Sequence, residues 1–219
     1  METTKHISDL IPEAIQRSQT IPKSKVTGWK PRLDAYEPSL VLAANVCAEM
    51  VAAMERGDEP YWVTLQGVNG CGKTFLMDQV FPQAKRINPG NPANNPVWPP
   101  SHASRKDCEY EASRPYALRY DEGGLASRMR NGDYTLPRSL AGDYFVAMDE
   151  VGMTRDPTNY IAEAISVFCD VRLHKWTMLC TNFTMAEIAE RMDARISSRI
   201  LRDENKLVCI TAGDYALRR

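Results

Sequence analysis

The segment GVNGCGKT, residues 67–74, constrains this chain more than any other stretch. It matches the pattern G-x-x-x-x-G-K-[ST], in which small residues let the backbone curl around an anion. It stands between YWVTLQ at 61–66, an aromatic and β-branched run that reads as a buried strand, and a helical pattern from Thr74 to Val80. In such a loop Gly67, Val68, Asn69, Gly70, Cys71 and Gly72 turn successive N–H groups toward phosphate oxygens. The start of the following helix adds a partial positive charge. Lys73 is then placed to bridge the β- and γ-phosphates of ATP, and the Thr74 hydroxyl to ligate Mg²⁺.

A second run, YFVAMDE at 144–150, carries two carboxylates to the end of another buried strand. Behind a phosphate loop, Asp149 is expected to hold Mg²⁺ through its water shell, and Glu150 to polarise an attacking water. The adjacent glutamate sets the chain apart from small GTPases, and there is no guanine-reading N-K-x-D motif. Further strands are expected at 116–120, 176–180 and 207–211. Helices are expected at 38–56, 121–130, 157–172, 184–192 and 194–202. Strands alternating with helices indicate an α/β fold with a mainly parallel sheet, and no internal repeat interrupts the series.

Composition limits what surrounds this unit. The 219 residues hold 27 basic and 28 acidic side chains, which excludes a uniformly basic nucleic-acid coat but not a local patch. No stretch approaches 18 uninterrupted apolar residues, and the N-terminus lacks the apolar core of a signal peptide, so no membrane segment is expected. The six cysteines form no C-x-x-C pair and read as free thiols of a cytoplasmic protein.

Residues 1–36 are polar and broken by Pro12, Pro22 and Pro31, which predicts a tail or extended arm. Within it, Arg17 to Arg32 carries five basic residues, no acidic ones, and Trp29. This arm, together with Arg128 and Arg130, is the candidate contact for single-stranded DNA, the alternative being a merely solvated basic tail. A Pro/Asn-rich segment, NPGNPANNPVWPP at 88–100 with its polar continuation to 114, reads as an exposed insertion in the domain spanning 37–219.

Two features stay open on residue pattern alone. Asn182 closes the strand WTMLCTN at 176–182, either as a turn residue or as a group near the γ-phosphate that helps position water. Arg191, Arg195 and Arg199 recur at four-residue spacing, either as a solvated stripe or as a source of positive charge for the ATP of a neighbouring subunit.

Taken together, GVNGCGKT, MDEVG at 148–152, TNFTMAEIAERMDARISSRI at 181–200 and the closing ITAGDYALRR resemble the AAA+ ATPase domain of bacterial and phage helicase loaders of the DnaC/DnaI type. IstB-like transposition helpers belong to the same wider group. The resemblance runs from about Tyr36 to the C-terminus and implies a five-stranded parallel sheet flanked by helices, with no lid domain after it. It implies that Asn182 is the sensor-1 residue, Arg195 an arginine finger and Arg199 the second arginine of the same box. It also implies head-to-tail homo-oligomers with ATP and Mg²⁺ at each interface. The expected activity is ATP hydrolysis in DNA replication, loading a hexameric replicative helicase onto single-stranded DNA. An IstB-like targeting ATPase and a small-molecule P-loop kinase are the alternatives. The 88–114 insertion and the short N-terminal region depart from the family pattern and bear on the partner more than on the chemistry.

Overall fold

Along the central strands, successive side chains enter two different apolar cores, which is why those strands read as unbroken hydrophobic runs. The computed structural model describes residues 7–20, 37–87, 117–154 and 158–214. Its strands are β1 (Trp62–Gly67), β2 (Ala117–Asp121), β3 (Phe145–Val151), β4 (Trp176–Thr181) and β5 (Lys206–Ile210). They form one parallel sheet in the order β2-β3-β4-β1-β5. The expected five-stranded parallel α/β fold is therefore present, with strand bounds within two residues of those read from the sequence.

The helices are α1 (Ile7–Gln19), α2 (Pro38–Arg56), α3 (Lys73–Ile87), α4 (Glu122–Arg130), α5 (Leu136–Ser139), α6 (Tyr160–Val171), α7 (Met185–Arg191) and α8 (Ala194–Ile200). On one face of the sheet, Val63, Leu65, Phe145, Ala147, Met178 and Cys180 pack under α2 and α3, with Val46, Met50, Leu76 and Val80. On the other, Trp62, Val146, Met148 and Leu179 meet Leu125, Ile165, Phe168 and Ile196. Helix α2 begins with Pro38, whose missing N–H is harmless in a first turn, and ends at Gly57 in the left-handed region. An 18-residue window of α2 has a mean hydropathy of 1.3, enough to cross a membrane by length and composition, yet half of it is buried in the domain.

Two expectations change. Helix α3 runs on through Pro82 to Ile87 rather than ending at Val80, because Leu76, Met77, Val80 and Ala84 continue its buried face. The arm reading fails for residues 7–19, which form α1. Ala14 and Ser18 of α1 are buried, Ser18 Oγ donates to Leu207 O at 2.9 Å, and Arg17 donates to Leu201 O at 2.7 Å and Asn205 O at 2.9 Å. Arg17 is thus a structural clamp on the end of α8 and the start of β5. Trp29, the rest of the arm from 21 to 36, the 88–114 insertion and residues 215–219 lie outside the described residues.

Candidate nucleotide site

A parallel sheet sends all its strand ends with the same polarity to one edge, and in open α/β sheets that edge is where ligands sit. Here the loop after β1, the tip of β3 and the turn after β4 meet there. Cys71 turns inward and is buried, and Gly70 has φ +71, where a Cβ would overlap the carboxylate of Asp214 beyond β5. A side chain at position 70 would meet a strained backbone conformation and would require the Asp214 carboxylate to move.

Lys73 opens α3 and is 6% exposed. Its Nζ donates to the carbonyls of Gly67 at 2.7 Å and Val68 at 2.8 Å, so the ammonium holds the loop closed upon itself. The lysine is a structural brace as well as a candidate phosphate ligand. Beside it, Thr74 Oγ1 donates to Asp149 Oδ2 at 2.8 Å. Asp149 Oδ1 accepts from the Glu150 backbone N–H at 3.0 Å. The expected metal pair, Thr74 and Asp149, is thereby brought together from β1–α3 and β3.

This hydroxyl–carboxylate pair is a hard-oxygen donor set that suits Mg²⁺, which binds through few protein ligands plus phosphate oxygens and water. Among the described residues no cluster of three or more His, Cys, Asp or Glu could cage a metal without those other ligands. A cavity of about 550 Å³ opens beside the pair, lined by Thr74, Arg119, Tyr120, Asp121, Asp149 and Glu150.

Glu150 is exposed and has φ +60, an uncommon conformation for a residue with a side chain. The β3–β4 register shifts between Met148 and Val151, so a bulge breaks the alternation and turns Glu150 out of the sheet. The loop beyond it is fastened from outside the motif. Glu122, fully buried at the start of α4, accepts from Gly152 N–H at 3.2 Å and Thr154 N–H at 2.8 Å, and its burial pushes the carboxyl pKa up. Nothing in the local pattern around Glu122 signals this role, since it depends on β2 lying beside β3.

Asn182 Nδ2 donates to Asn69 Oδ1 at 2.6 Å and lies 3.2 Å from Met153 Sδ. The residue after β4 thus reaches both the phosphate loop and the segment following Glu150. Met192 and Asp193 separate α7 from α8, which divides the arginines. Arg191 stacks on Phe183, its guanidinium 4.1 Å from the ring centre. Arg199 pairs with Asp170 of α6 in its own subunit. Arg195 is 70% exposed and paired with Asp193 at 2.7 Å. That guanidinium holds the Asp193 carboxyl below the usual aspartate range. Arg128 pairs with Asp133 at 2.6 Å and lies over the Tyr120 ring, while Arg130 is exposed.

Comparison with known proteins bears on this arrangement. The chain is similar to the DnaC helicase loader, at 20% identity over 77% of this chain and 90% of that one, with a TM-score of 0.52. It is similar to DnaI at 16% identity over 84% and 95%, TM-score 0.57. It is also similar to the replication initiator DnaA in a complex with AMPPCP and single-stranded DNA, at 15% identity over 92% and 51%, TM-score 0.53, so it spans about half of that protein. No family model matches the sequence, and no curated protein matches it. At these identities the likeness is one of fold: the five-stranded parallel sheet with flanking helices is shared with the DnaC and DnaI structures.

Proposed function

We propose that this chain is a cytoplasmic, Mg²⁺-dependent ATPase that serves DNA replication by loading a hexameric helicase onto single-stranded DNA. The observation that carries the reading is the convergence of Lys73, Thr74, Asp149 and Asn182 at one edge of the sheet, within a fold shared with a helicase loader. Lys73 and the loop amides bind the phosphates, Thr74 and Asp149 hold the metal, and Glu150 takes a proton from water. Mg²⁺, when bound, offsets the charge that develops on the phosphoryl oxygens. Asn182, tied to Asn69, orients the water and the terminal phosphate.

Arg195, with most of its side chain exposed, acts on the ATP of the next subunit in a head-to-tail assembly, with Arg199 setting the helix that carries it. The fold likeness to a DnaA complex that holds single-stranded DNA supports a DNA contact, for which Arg130 is a candidate among the described residues. The test is co-purification with a hexameric helicase and ATP-dependent transfer of that helicase to single-stranded DNA. Lys73-dependent transfer is the expected result. ATP hydrolysis with no helicase or DNA partner would overturn the loader assignment, and ATP-dependent capture of a transposase would replace it.

A further inference from the structure

Asp149 is nearly buried, and its Oδ2 already has two cationic or polar neighbours: Thr74 Oγ1 at 2.8 Å and Arg119 Nη2 at 3.5 Å. Nothing in the P-loop chemistry calls for a guanidinium at that oxygen. Arg119 lies on the edge strand β2, paired in register with Ala147 of β3, and reaches back across the sheet edge. Its second amino group pairs with Asp78 of α3. Asp78 follows Thr74 by one helical turn and stands on the same side of α3. The guanidinium therefore bridges the helix that begins with the phosphate loop and the strand that carries the metal carboxylate.

The two contacts are unequal. At 3.5 Å the hydrogen bond to Asp149 is long and therefore weak, whereas Asp78 is the close partner. An arginine one-third exposed, on an edge strand and anchored by Asp78, can leave Asp149 without leaving the site. We propose that Arg119 is a resident cation of the metal position: it neutralises Asp149 in the metal-free protein and must yield that carboxylate for Mg²⁺ to be taken up with ATP. Arg119 thereby sets the Mg²⁺ concentration at which the site fills. Two cations cannot share one carboxylate oxygen without mutual repulsion, and a nearly buried site screens that repulsion poorly. The inference rests on the reading that this loop binds Mg²⁺ and ATP.

The test is equilibrium binding of a fluorescent ATP analogue to the full chain, titrated with Mg²⁺ at fixed nucleotide. Arg119→Gln should lower the half-saturating Mg²⁺ by about threefold, the size expected from losing one weak, partly exposed charge pair. Asp78→Asn removes the anchor, leaves Asp149 as the only carboxylate partner of Arg119 among the described residues, and should raise the midpoint. Arg119→Lys keeps the charge and should stay closer to the wild type than Arg119→Gln does. An unchanged or raised midpoint in Arg119→Gln, with Lys73-dependent binding intact, overturns the inference alone. Absence of Lys73-dependent binding in the wild-type chain overturns the nucleotide reading and this inference with it. The oppositely signed Asp78→Asn shift is an independent check, since both side chains lie at the surface and neither fills the core.

Discussion

The side-chain amide of Asn182 donates to that of Asn69 across 2.6 Å, joining the end of β4 to the phosphate loop between residues 113 positions apart. The bond orients the Asn182 amide toward the loop, where a terminal phosphate would present its oxygens. Asn182→Ala should therefore change ATP affinity by less than about tenfold, the value of one neutral hydrogen bond. Hydrolysis should fall on the order of 10²-fold, the usual effect of removing a donor aimed at transition-state charge. Parallel equilibrium binding and turnover measurements separate the two. Equal losses in both would reduce Asn182 to a brace for the loop.

Lys73→Ala is expected to abolish nucleotide binding and also to loosen the loop. Its ammonium satisfies the carbonyls of Gly67 and Val68, which the alanine leaves without that donor. Val68 is exposed and Gly67 only partly buried, so water can replace the donor and the loss should be about 1 kcal/mol or less. Chemical denaturation of the variant should show a lower midpoint with an unchanged slope. Full ATP affinity in a folded Lys73→Ala protein would remove the phosphate loop from the site.

Sequence reading reached the parts of this site that are local in the chain. The phosphate loop, Asp149 and Asn182 each follow a continuous apolar strand, and a strand buried on both faces announces itself without any partner being known. Arg119 and Glu122 were out of reach because their roles arise from β2 lying against β3, a pairing no spacing reveals. Helix α1 was hidden for another reason. Leu10, Ile11, Ala14, Ile15 and Ser18 make a helical stripe, but Pro12 and the surrounding polar residues read as a breaker, and packing of that stripe against β5, α7 and α8 outweighs the proline.

Gly152→Ala should destabilise the fold by about 2–4 kcal/mol, from a left-handed conformation and overpacking together. The glycine has φ +86, and a Cβ there would stand 2.7 Å from Ile188 Cδ1 and 3.0 Å from Phe183 Cδ2. Urea unfolding measures the loss. A variant within 0.5 kcal/mol of wild type, roughly the scatter of neutral surface changes, would show that the 151–154 segment yields freely.

The pairing of Asp193 with Arg195 makes a pH prediction. The Arg195 side chain and then its backbone N–H hold the Asp193 carboxyl below its ordinary value. A depressed carboxyl pKa gives a contribution to stability that is fully present above the unfolded value, about 3.9 for aspartate. That contribution is lost as pH falls through the lower folded value. Arg195→Ala should bring the Asp193 titration, followed by carboxyl-carbon NMR, back toward the ordinary value. No movement would mean that the backbone cap alone sets it.

Arg195 itself is expected to act across subunits. It stands at the start of α8, 70% exposed and paired with Asp193 at the N-cap of the same helix. A guanidinium so exposed, presented to a neighbour's terminal phosphate, can donate two hydrogen bonds at once. Arg195→Ala should bind ATP normally and hydrolyse it on the order of 10³-fold more slowly, the lower end of what such residues contribute in other P-loop enzymes. Lys73→Ala supplies the complementary defect, losing the nucleotide while keeping the finger. In a mixture of the two variants, some interfaces pair an intact loop with an intact Arg195, and activity should rise above that of either variant alone. Capture of one variant through an affinity tag on the other checks that mixed oligomers form. If they form and the mixture stays as inactive as its parts, Arg195 does not act on a neighbour's ATP.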